Sequence, residues 1–287
     1  MLPRMREVLA DAEEKLRQAG IEEYKNDAWL LFEYIFQIDR THYFLQMNEE
    51  IGAEEKMRYE QYKNVVDRRC CRIPLQHIIG NQIFMGIDFE VNEHVLIPRQ
   101  DTEILVEQAL TICNDSNKDY MEILDMCTGS GCIAISMKML AKKQITVTAA
   151  DISEQALQVA ERNAKKNHCE IVFVHSDLFE KLKDKTFDMI ISNPPYIRSS
   201  VISSLMKEVR LYEPMLALDG DEDGLKFYRE ITMEAEKYLN PGGCILYEIG
   251  YDQAEEVSRI LEQRGFSSVH TVKDLAGLDR VVMAEKQ

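Results

Sequence analysis

The sequence has few of the residues that a disulfide framework, a zinc site or a membrane anchor requires. Its 287 residues include seven cysteines, an odd number, and no two of them have the C-x-x-C spacing of a zinc or redox site. No apolar run reaches about 18 residues, and the charged N-terminal segment lacks the apolar core of a secretory signal. We therefore expect a cytoplasmic protein with reduced cysteines, no bound metal and no membrane association.

Positive charge is also scarce. The chain has 50 acidic and 34 basic residues, which gives a formal net charge of -16. A protein that binds a nucleic-acid duplex usually presents a basic face, and none stands out here, so we expect no direct nucleic-acid partner. Seven prolines and 13 glycines exclude a fibrous or low-complexity chain, and an apolar content of 45% is enough for a full core.

Residues 1–72 show a helical pattern of apolar residues throughout. Gly20 ends a first amphipathic helix, and Asp27, with the asparagine before it, offers an N-cap for a second. A short third helix follows, and a long polar fourth one is predicted over Glu54–Arg72 with Met57 among its apolar positions. Four helices without catalytic candidates predict a small bundle that serves packing or partner recognition.

The rest of the chain changes from this pattern to strands. Residues 73–98 alternate apolar and polar side chains around glycines, which predicts a β-hairpin connector. From Met121 onward strands and helices take turns, which predicts a doubly wound parallel sheet with helices on both faces. The last two strands are expected to add an antiparallel hairpin at the sheet edge. The predicted domains are therefore 1–72, 73–98 and 99–287, and Asp101 is expected to cap a helix at the start of the third.

A glycine-rich turn follows the first strand of this sheet. Gly129 and Gly131 let the backbone approach a ligand closely, and the helix after them offers free N–H groups. In such a βαβ unit an acidic residue about 20 positions later can bind the ribose hydroxyls of a nucleotide. Asp151 stands at that position, at the end of the second strand. The pattern therefore predicts a nucleotide-containing cofactor.

The identity of that nucleotide depends on the residues around the turn. Gly129-x-Gly131 with a following alanine also fits a dinucleotide fingerprint, so the turn alone leaves both cofactor classes open. Asp125 before the turn suits a cationic amino-acid group better than a pyrophosphate. Asp177 can accept from an adenine amino group, and Leu178 or Phe179 can cover the ring. These positions favour S-adenosylmethionine. The alternative roles are a core hydrogen-bond bracket for Asp125 and a helix N-cap for Asp177.

The segment Asn193-Pro194-Pro195-Tyr196 follows a buried strand, Phe187–Ser192. Two prolines cannot donate to a sheet ladder, so they end the strand at the edge where ligands bind in open α/β sheets. A planar –NH2 group has two N–H donors. The side-chain carbonyl of Asn193 can accept a hydrogen bond from one, and the backbone carbonyl of Pro194 can accept from the other. Tyr196 can stack on the same group. The segment therefore predicts a site that holds an amide or amino nitrogen for methyl transfer.

Several segments together resemble the HemK/PrmC family, the peptide chain release factor N5-glutamine methyltransferases. The resemblance covers nearly the whole chain. It is carried by these segments: Ile97-Pro98-Arg99-Gln100-Asp101-Thr102-Glu103, residues 124–131, Ala150-Asp151, Asn193–Ile197, Glu208–Pro214 and Glu248-Ile249-Gly250. It implies a Rossmann-like class I methyltransferase fold, and transfer of a methyl group from S-adenosylmethionine to the glutamine of the Gly-Gly-Gln motif of class 1 release factors. S-adenosylhomocysteine would be the product.

The resemblance also implies roles for individual residues. Asn193, Pro194, Pro195 and Tyr196 would bind the glutamine amide. The cofactor would be held by Asp125, Cys127, Thr128, Gly129, Ser130, Gly131, Asp151, Ile152, Asp177, Leu178, Phe179 and Asn193. The family often has glycine where Cys127 stands and an aromatic residue where Leu178 stands. We expect an ordinary φ at Cys127, with the tight turn at Gly129.

Three other functions fit some of these residues. A methyltransferase acting on adenine amino groups of nucleic acid would use the same –NH2 grip, but the acidic charge disfavours it. A non-catalytic binding module and a methyltransferase acting on a ribosomal-protein glutamine are the others. We further hypothesise that residues 1–72 dock the folded release factor and that the protein is a monomer.

Overall fold

The computed structural model describes residues 3–287. Within that range it contains twelve α-helices and nine strands. The helices are α1 (Met5–Gln18), α2 (Tyr24–Phe36), α3 (Arg40–Gln46), α4 (Lys56–Cys70), α5 (Leu75–Ile79), α6 (Gln100–Asp115), α7 (Cys132–Leu140), α8 (Glu154–Lys166), α9 (Ser199–Ile202), α10 (Lys207–Tyr212), α11 (Lys226–Tyr238) and α12 (Ala254–Gln263). The strands are β1 (Asn81–Phe84), β2 (Ile87–Glu90), β3 (Tyr120–Met126), β4 (Gln144–Asp151), β5 (Val172–His175), β6 (Phe187–Ser192), β7 (Leu239–Glu248), β8 (Phe266–Lys273) and β9 (Asp279–Lys286).

The chain divides into two compact units. One comprises the residues up to Gly80 together with Met206–Tyr212, and the other comprises Asn81–Leu205 and Glu213–Gln287. The helix α5 therefore belongs with the helical unit and the hairpin β1–β2 with the sheet unit. Within residues 3–287 no helix combines the length and the apolar character that a membrane span requires.

The helical unit packs its apolar faces around a cluster of aromatic rings. Phe32 stacks on Phe36 with ring centroids 4.4 Å apart, and Tyr62 meets Phe32 edge-on at 5.4 Å. The hydroxyl of Tyr62 donates to the Ala28 carbonyl at 3.0 Å, so burial of this tyrosine leaves no orphaned donor. Met57, predicted on the apolar face of the fourth helix, is instead 70% exposed.

The second helix starts earlier than predicted, and Asp27 belongs to a buried ion network instead of capping that helix. The helix α2 begins at Tyr24, so Asp27 lies inside its first turn and is not the N-cap. Its carboxylate accepts from Nε of Arg69 at 2.7 Å, and Nη1 of Arg69 donates to Glu208 at 3.0 Å. Asp27 is therefore placed by a tertiary partner 42 residues away, which a local capping pattern cannot reveal. The same network includes Glu208, which brings Met206–Tyr212 into the helical unit.

The sheet unit contains the predicted doubly wound sheet. Its strand order is β5-β4-β3-β6-β7-β9-β8, with β5 to β7 parallel and β9 antiparallel to both β7 and β8. Successive residues of β3 point to opposite faces, so Ile123 enters one apolar cluster and Leu124 the other. The helices α6, α7 and α8 cover the first face, and α11 and α12 cover the second. The predicted fold class is confirmed, including the C-terminal hairpin and the N-terminal helices.

The hairpin β1–β2 forms where predicted. Its two-residue turn has positive φ at both Met85 and Gly86, as a type I′ turn requires.

Two other local details differ from expectation. The short helix α5 was not foreseen. Asp101 does not cap α6, because that helix begins at Gln100 with Arg99 as its N-cap, and Asp101 instead pairs with Arg280 at 3.1 Å.

Candidate active site

The site lies where the direction of strand connection reverses. The strand β3 leads to β4 on one side, and β6 pairs with β3 on the other. Met126 and Ser192, the last residues of β3 and β6, are paired in register, and Oγ of Ser192 donates to the Met126 carbonyl at 2.7 Å. The glycine-rich turn and the Asn193–Tyr196 segment therefore leave neighbouring strand ends, at the kind of crevice where open α/β sheets bind ligands.

A cavity of about 340 Å³ opens at this edge. Many of the predicted site residues line it, namely Cys127, Thr128, Gly129, Ser130, Asp151, Ile152, Asp177, Leu178, Asn193 and Pro195. Others do not, namely Asp125, Gly131, Phe179, Pro194 and Tyr196. Further lining residues come from the segment before α6 and from Pro214–Glu230. Among residues 3–287 no cluster of His, Cys, Asp or Glu side chains has the arrangement of a metal site.

The glycine-rich turn is tighter than expected. Cys127, Gly129 and Gly131 all have positive φ, at 62°, 55° and 79°. The prediction of an ordinary φ at Cys127 is therefore wrong. A cysteine in the left-handed region carries a steric cost of roughly 1–2 kcal/mol that glycine avoids, which gives a physical reason for the glycine common in the family. A Cβ on Gly131 would lie 3.0 Å from that of Ala160, so this glycine also permits close helix packing.

Asp125 supports the turn from beneath. The residue is fully buried, and its Oδ2 accepts from Thr128 Oγ1 at 2.5 Å and from the Ala134 amide at 3.1 Å. Oδ1 has no hydrogen-bond partner among the described residues. Burial raises the pKa of Asp125 to about 7, against the lowering by these two bonds. Its contacts match the bracket role rather than a direct position in the cavity.

Asp151 stands at the end of β4, beside the turn. Its Oδ2 accepts from the Gly129 amide at 2.8 Å, and its Oδ1 accepts from the Ser153 amide at 2.9 Å. Burial raises the pKa of this carboxyl, while the backbone N–H groups act to lower it. Each carboxylate oxygen keeps a further lone pair for a ligand hydroxyl.

Of the three predicted site residues after β5, two line the cavity and the third is buried in the core. Asp177 and Leu178 line the cavity. Phe179 does not, because its ring is buried and stacks on Tyr238 with centroids 4.4 Å apart. Of the two residues predicted to cover an adenine ring, only Leu178 is therefore in place to do so.

The segment after β6 places its amide side chain at the cavity. Asn193 lines it, and Nδ2 of Asn193 donates to Thr102 Oγ1 at 3.3 Å. Tyr196 does not line it. The Tyr196 hydroxyl instead donates to Oε1 of Glu248 at 3.3 Å, and burial raises the pKa of this phenol.

Two residues at the site, Thr102 and Glu248, had no predicted role. Thr102 lines the cavity, and Glu248 is fully buried at the end of β7, the strand next to β6. Burial raises the pKa of Glu248 to about 7, although the nearby Thr102 hydroxyl, the charge of Arg280 and the Tyr196 hydroxyl act to lower it. Oε1 of Glu248 accepts from Tyr196, and Oε2 has no hydrogen-bond partner among residues 3–287. Both lie in segments that carried the family resemblance, and the signal available was an acidic residue ending an apolar strand.

The segment Gly220–Gly224 supports Pro195 and Tyr196 from behind. A Cβ on Gly220 would lie 2.8 Å from Cα of Tyr196, and one on Gly224 would lie 2.5 Å from the Tyr196 carbonyl oxygen. Nε2 of Gln253 donates to that same oxygen at 3.0 Å. The backbone of the predicted substrate segment is therefore fixed by close packing on glycine.

Comparison with known proteins matches both parts of the chain. Residues 101–210 match the family described as Methyltransferase small domain, and residues 7–80 match the PrmC N-terminal domain. The release factor glutamine methyltransferase of Clostridium acetobutylicum is 43% identical over 98% of both chains, and that of Geobacter sulfurreducens is 39% identical over 97% of this chain and 95% of its own. The 16S rRNA N2 G1207 methyltransferase of T. thermophilus, solved with AdoMet and guanosine, shares the fold at a TM-score of 0.52 and 16% identity, over 72% of this chain and 50% of its own.

Replacement of Gly224 by alanine tests the support of the substrate segment. Gly224 and Gly277 both have positive φ, but nothing lies within 4 Å of a Cβ built on Gly277. Gly277→Ala should therefore cost only the backbone strain of roughly 1–2 kcal/mol. Gly224→Ala should cost roughly 1–3 kcal/mol more because of overpacking. Thermal unfolding of the two variants measures the difference, and equal midpoints would show that this contact is not tight.

Proposed function

Because the chain belongs to the family of release factor glutamine methyltransferases, we propose that it methylates the side-chain amide nitrogen of the glutamine in the Gly-Gly-Gln motif of class 1 release factors. The observation that carries this proposal is the juxtaposition at one cavity of the glycine-rich turn, Asp151 and Asn193. Such a substrate belongs to translation, so we also infer a cytoplasmic location. Absence of direct nucleic-acid binding and a monomeric state stay predictions.

We propose S-adenosylmethionine as the methyl donor, and the residues present fit it. The cavity volume of about 340 Å³ falls within the range of ligand sites. Asp151 would hold the ribose hydroxyls, and Asp177 with Leu178 would hold the adenine. Residues 127–131 would hold the amino-acid portion, with Asp125 bracketing the turn. When bound, the group supplies an electrophilic methyl on a positively charged sulfur.

The protein's own residues would act mainly by positioning. An amide nitrogen is a weak nucleophile because its lone pair is delocalised into the carbonyl. The two N–H groups of the substrate amide would donate hydrogen bonds, one to the Asn193 side chain and one to the Pro194 backbone carbonyl. Both acceptors would favour positive charge on that nitrogen. Alignment of reacting groups is worth roughly 7–11 kcal/mol, and acceptor dipoles facing the developing charge add to it. The proton can then leave to water. Acceptance by the Pro194 carbonyl and stacking of Tyr196 on the amide stay predictions, since neither residue lines the cavity.

Removal of the Asn193 amide tests the catalytic assignment. Loss of one preorganised polar group in a comparable site costs roughly 2.7–4 kcal/mol. Asn193→Ala should therefore lower methyl transfer to intact release factor by about 100-fold or more. Cofactor affinity should stay nearly unchanged, because Asn193 is only one of the twelve residues expected to hold the cofactor. Transfer of labelled methyl and calorimetry measure the two quantities. A variant that keeps more than about a tenth of wild-type turnover would contradict the assignment, and label appearing on nucleic acid would favour the alternative substrate.

Asp151→Ala should act on the cofactor instead. Hydrogen bonds to a charged group contribute about 1.5–3 kcal/mol each, so affinity for S-adenosylmethionine should fall at least about tenfold. Asp252→Ala is the matched control, since that exposed acid pairs with Arg198 and does not line the cavity. Calorimetry on both variants decides the matter. Unchanged affinity in Asp151→Ala would move the ribose contact to another residue.

We further propose that residues 1–72 form the part that recognises the folded release factor, with 73–98 as connector and 99–287 as catalytic domain. The match of residues 7–80 to the PrmC N-terminal domain supports a separate helical part in this region of the chain, and the boundary at residue 72 stays a prediction. Within the helical unit, α3 exposes Phe44 and Leu45 to 66% and 77%, which is unusual for adjacent large apolar side chains. The acidic balance of the chain suits a partner with a basic surface.

The double variant Phe44→Ser, Leu45→Ser tests recognition by the helical unit. Truncation of one of the few residues that dominate an interface costs about 2 kcal/mol or more, which is about 30-fold in affinity. If Phe44 and Leu45 are such residues, the variant should raise KM for intact release factor by about 30-fold or more and leave activity on a short Gly-Gly-Gln peptide unchanged. Leu275→Ser, a fully exposed leucine on the β8–β9 turn, is the control. An equal effect on both substrates would mean that α3 contributes stability rather than docking.

A further inference from the structure

Asn163 on α8 is a fully buried polar side chain that has no part in the chemistry proposed above. Its Oδ1 accepts from the Glu90 amide at 2.6 Å, and its Nδ2 donates to the Glu90 carbonyl at 3.0 Å and to the Ser130 carbonyl at 2.9 Å. Because backbone carbonyls only accept and backbone N–H groups only donate, these partners fix the orientation of the Asn163 amide. Both N–H groups of that amide are used, one on each carbonyl.

The bond to Ser130 holds one peptide unit of the glycine-rich turn. The Ser130 carbonyl and the Gly131 N–H belong to the same planar unit. Asn163 binds the carbonyl end of this unit, and the N–H end donates to the Thr128 carbonyl at 2.9 Å. One turn earlier on α8, Ala160 packs against the turn, since a Cβ on Gly131 would lie 3.0 Å from that of Ala160. The conformation of the glycine-rich turn therefore depends on α8.

The two bonds to Glu90 attach the end of the hairpin β1–β2 to the same helix. The Asn163 amide pairs with both the N–H and the carbonyl of Glu90, as a residue of a neighbouring strand would. Directly after Glu90, Val91 and Val95 are buried in one apolar cluster with two residues of α8. The segment 94–99 supplies further lining of the cavity. The hairpin therefore leads into a second cavity-lining segment that is held by α8.

We propose that Asn163 is a positioning residue for the cofactor site, and that it makes the hairpin β1–β2 part of that site rather than a connector alone. One side chain joins the end of β2 to the glycine-rich turn, so the two cavity-lining segments keep one relative position. Neither Asn163 nor β2 lines the cavity, so both act through the segments that they hold. The inference rests on the proposed function, because it concerns the turn proposed to bind S-adenosylmethionine.

Alanine variants of Asn163 and Asn167 separate positioning from stability. Each asparagine donates to a backbone carbonyl of β2, Asn167 to that of Asp88 at 3.2 Å. Asn163 also reaches the turn, whereas Asn167 donates to the Asn163 carbonyl. Asn163→Ala leaves the Ser130 carbonyl buried without this partner, so affinity for S-adenosylmethionine, measured by calorimetry on folded protein, should fall at least about tenfold. Asn167→Ala should bind it as wild type does. Equal affinities in the two folded variants would overturn the positioning role.

Hydrogen exchange on the wild-type protein tests the same inference without a substitution. By linkage, a ligand that stabilises the turn also stabilises a segment that is coupled to it. Saturating S-adenosylmethionine should therefore slow amide exchange in β2 as well as in residues 127–131, as measured by mass spectrometry of peptides that cover each segment. Wild type that binds S-adenosylmethionine without any slowing in β2 would refute the role of Asn163 alone. Wild type that does not bind S-adenosylmethionine in calorimetry would refute the proposed cofactor instead.

Discussion

The pairing of β3 with β6 at their carboxyl ends is the constraint on which the site depends. It pairs Met126 with Ser192, and the hydrogen bond from the Ser192 hydroxyl to the Met126 carbonyl keeps the two strand ends in register. The loops that follow must then leave the sheet side by side. One loop is built from positive-φ residues that offer backbone N–H groups, and the other is stiffened by two prolines. A cavity between the glycine-rich turn and the Asn193–Tyr196 segment follows from this single strand pairing.

Buried acids around this cavity act as supports. Asp125 lies under the glycine-rich turn and Glu248 lies behind the Asn193–Tyr196 segment, and neither lines the cavity. Each has a pKa raised to about 7 by burial, and each accepts from a hydroxyl, that of Thr128 in one case and that of Tyr196 in the other. Asp151 differs because it lines the cavity while two backbone amides hold it in place. The acids that hold the loops are thus distinct from the acid that lines the cavity.

The amino-acid sequence predicts the fold well where the periodicity of apolar residues, or a residue that ends a strand, determines the local structure. Strands buried on both faces appear as continuous apolar runs, so β3 and β6 were predictable, and Pro194 ended β6 where expected. The sequence does not predict the position of a side chain whose partner lies far away in the chain. Asp27 resembles an N-cap locally but pairs with Arg69, and Phe179 resembles an adenine cover but packs on Tyr238. The left-handed φ of Cys127 is imposed by the turn and is not a preference of cysteine. The hydrogen bond from Asn193 to Thr102 and the one from Tyr196 to Glu248 likewise join segments that are far apart in the sequence.

The position of the transferred methyl group tests the proposed reaction most directly. Intact class 1 release factor is incubated with the protein and isotopically labelled S-adenosylmethionine, and the proteolytic peptides are sequenced by tandem mass spectrometry. One labelled methyl is expected on the side-chain nitrogen of the Gly-Gly-Gln glutamine and none elsewhere. A methyl on another residue, or an unlabelled release factor alongside a labelled ribosomal protein or nucleic acid, would contradict it.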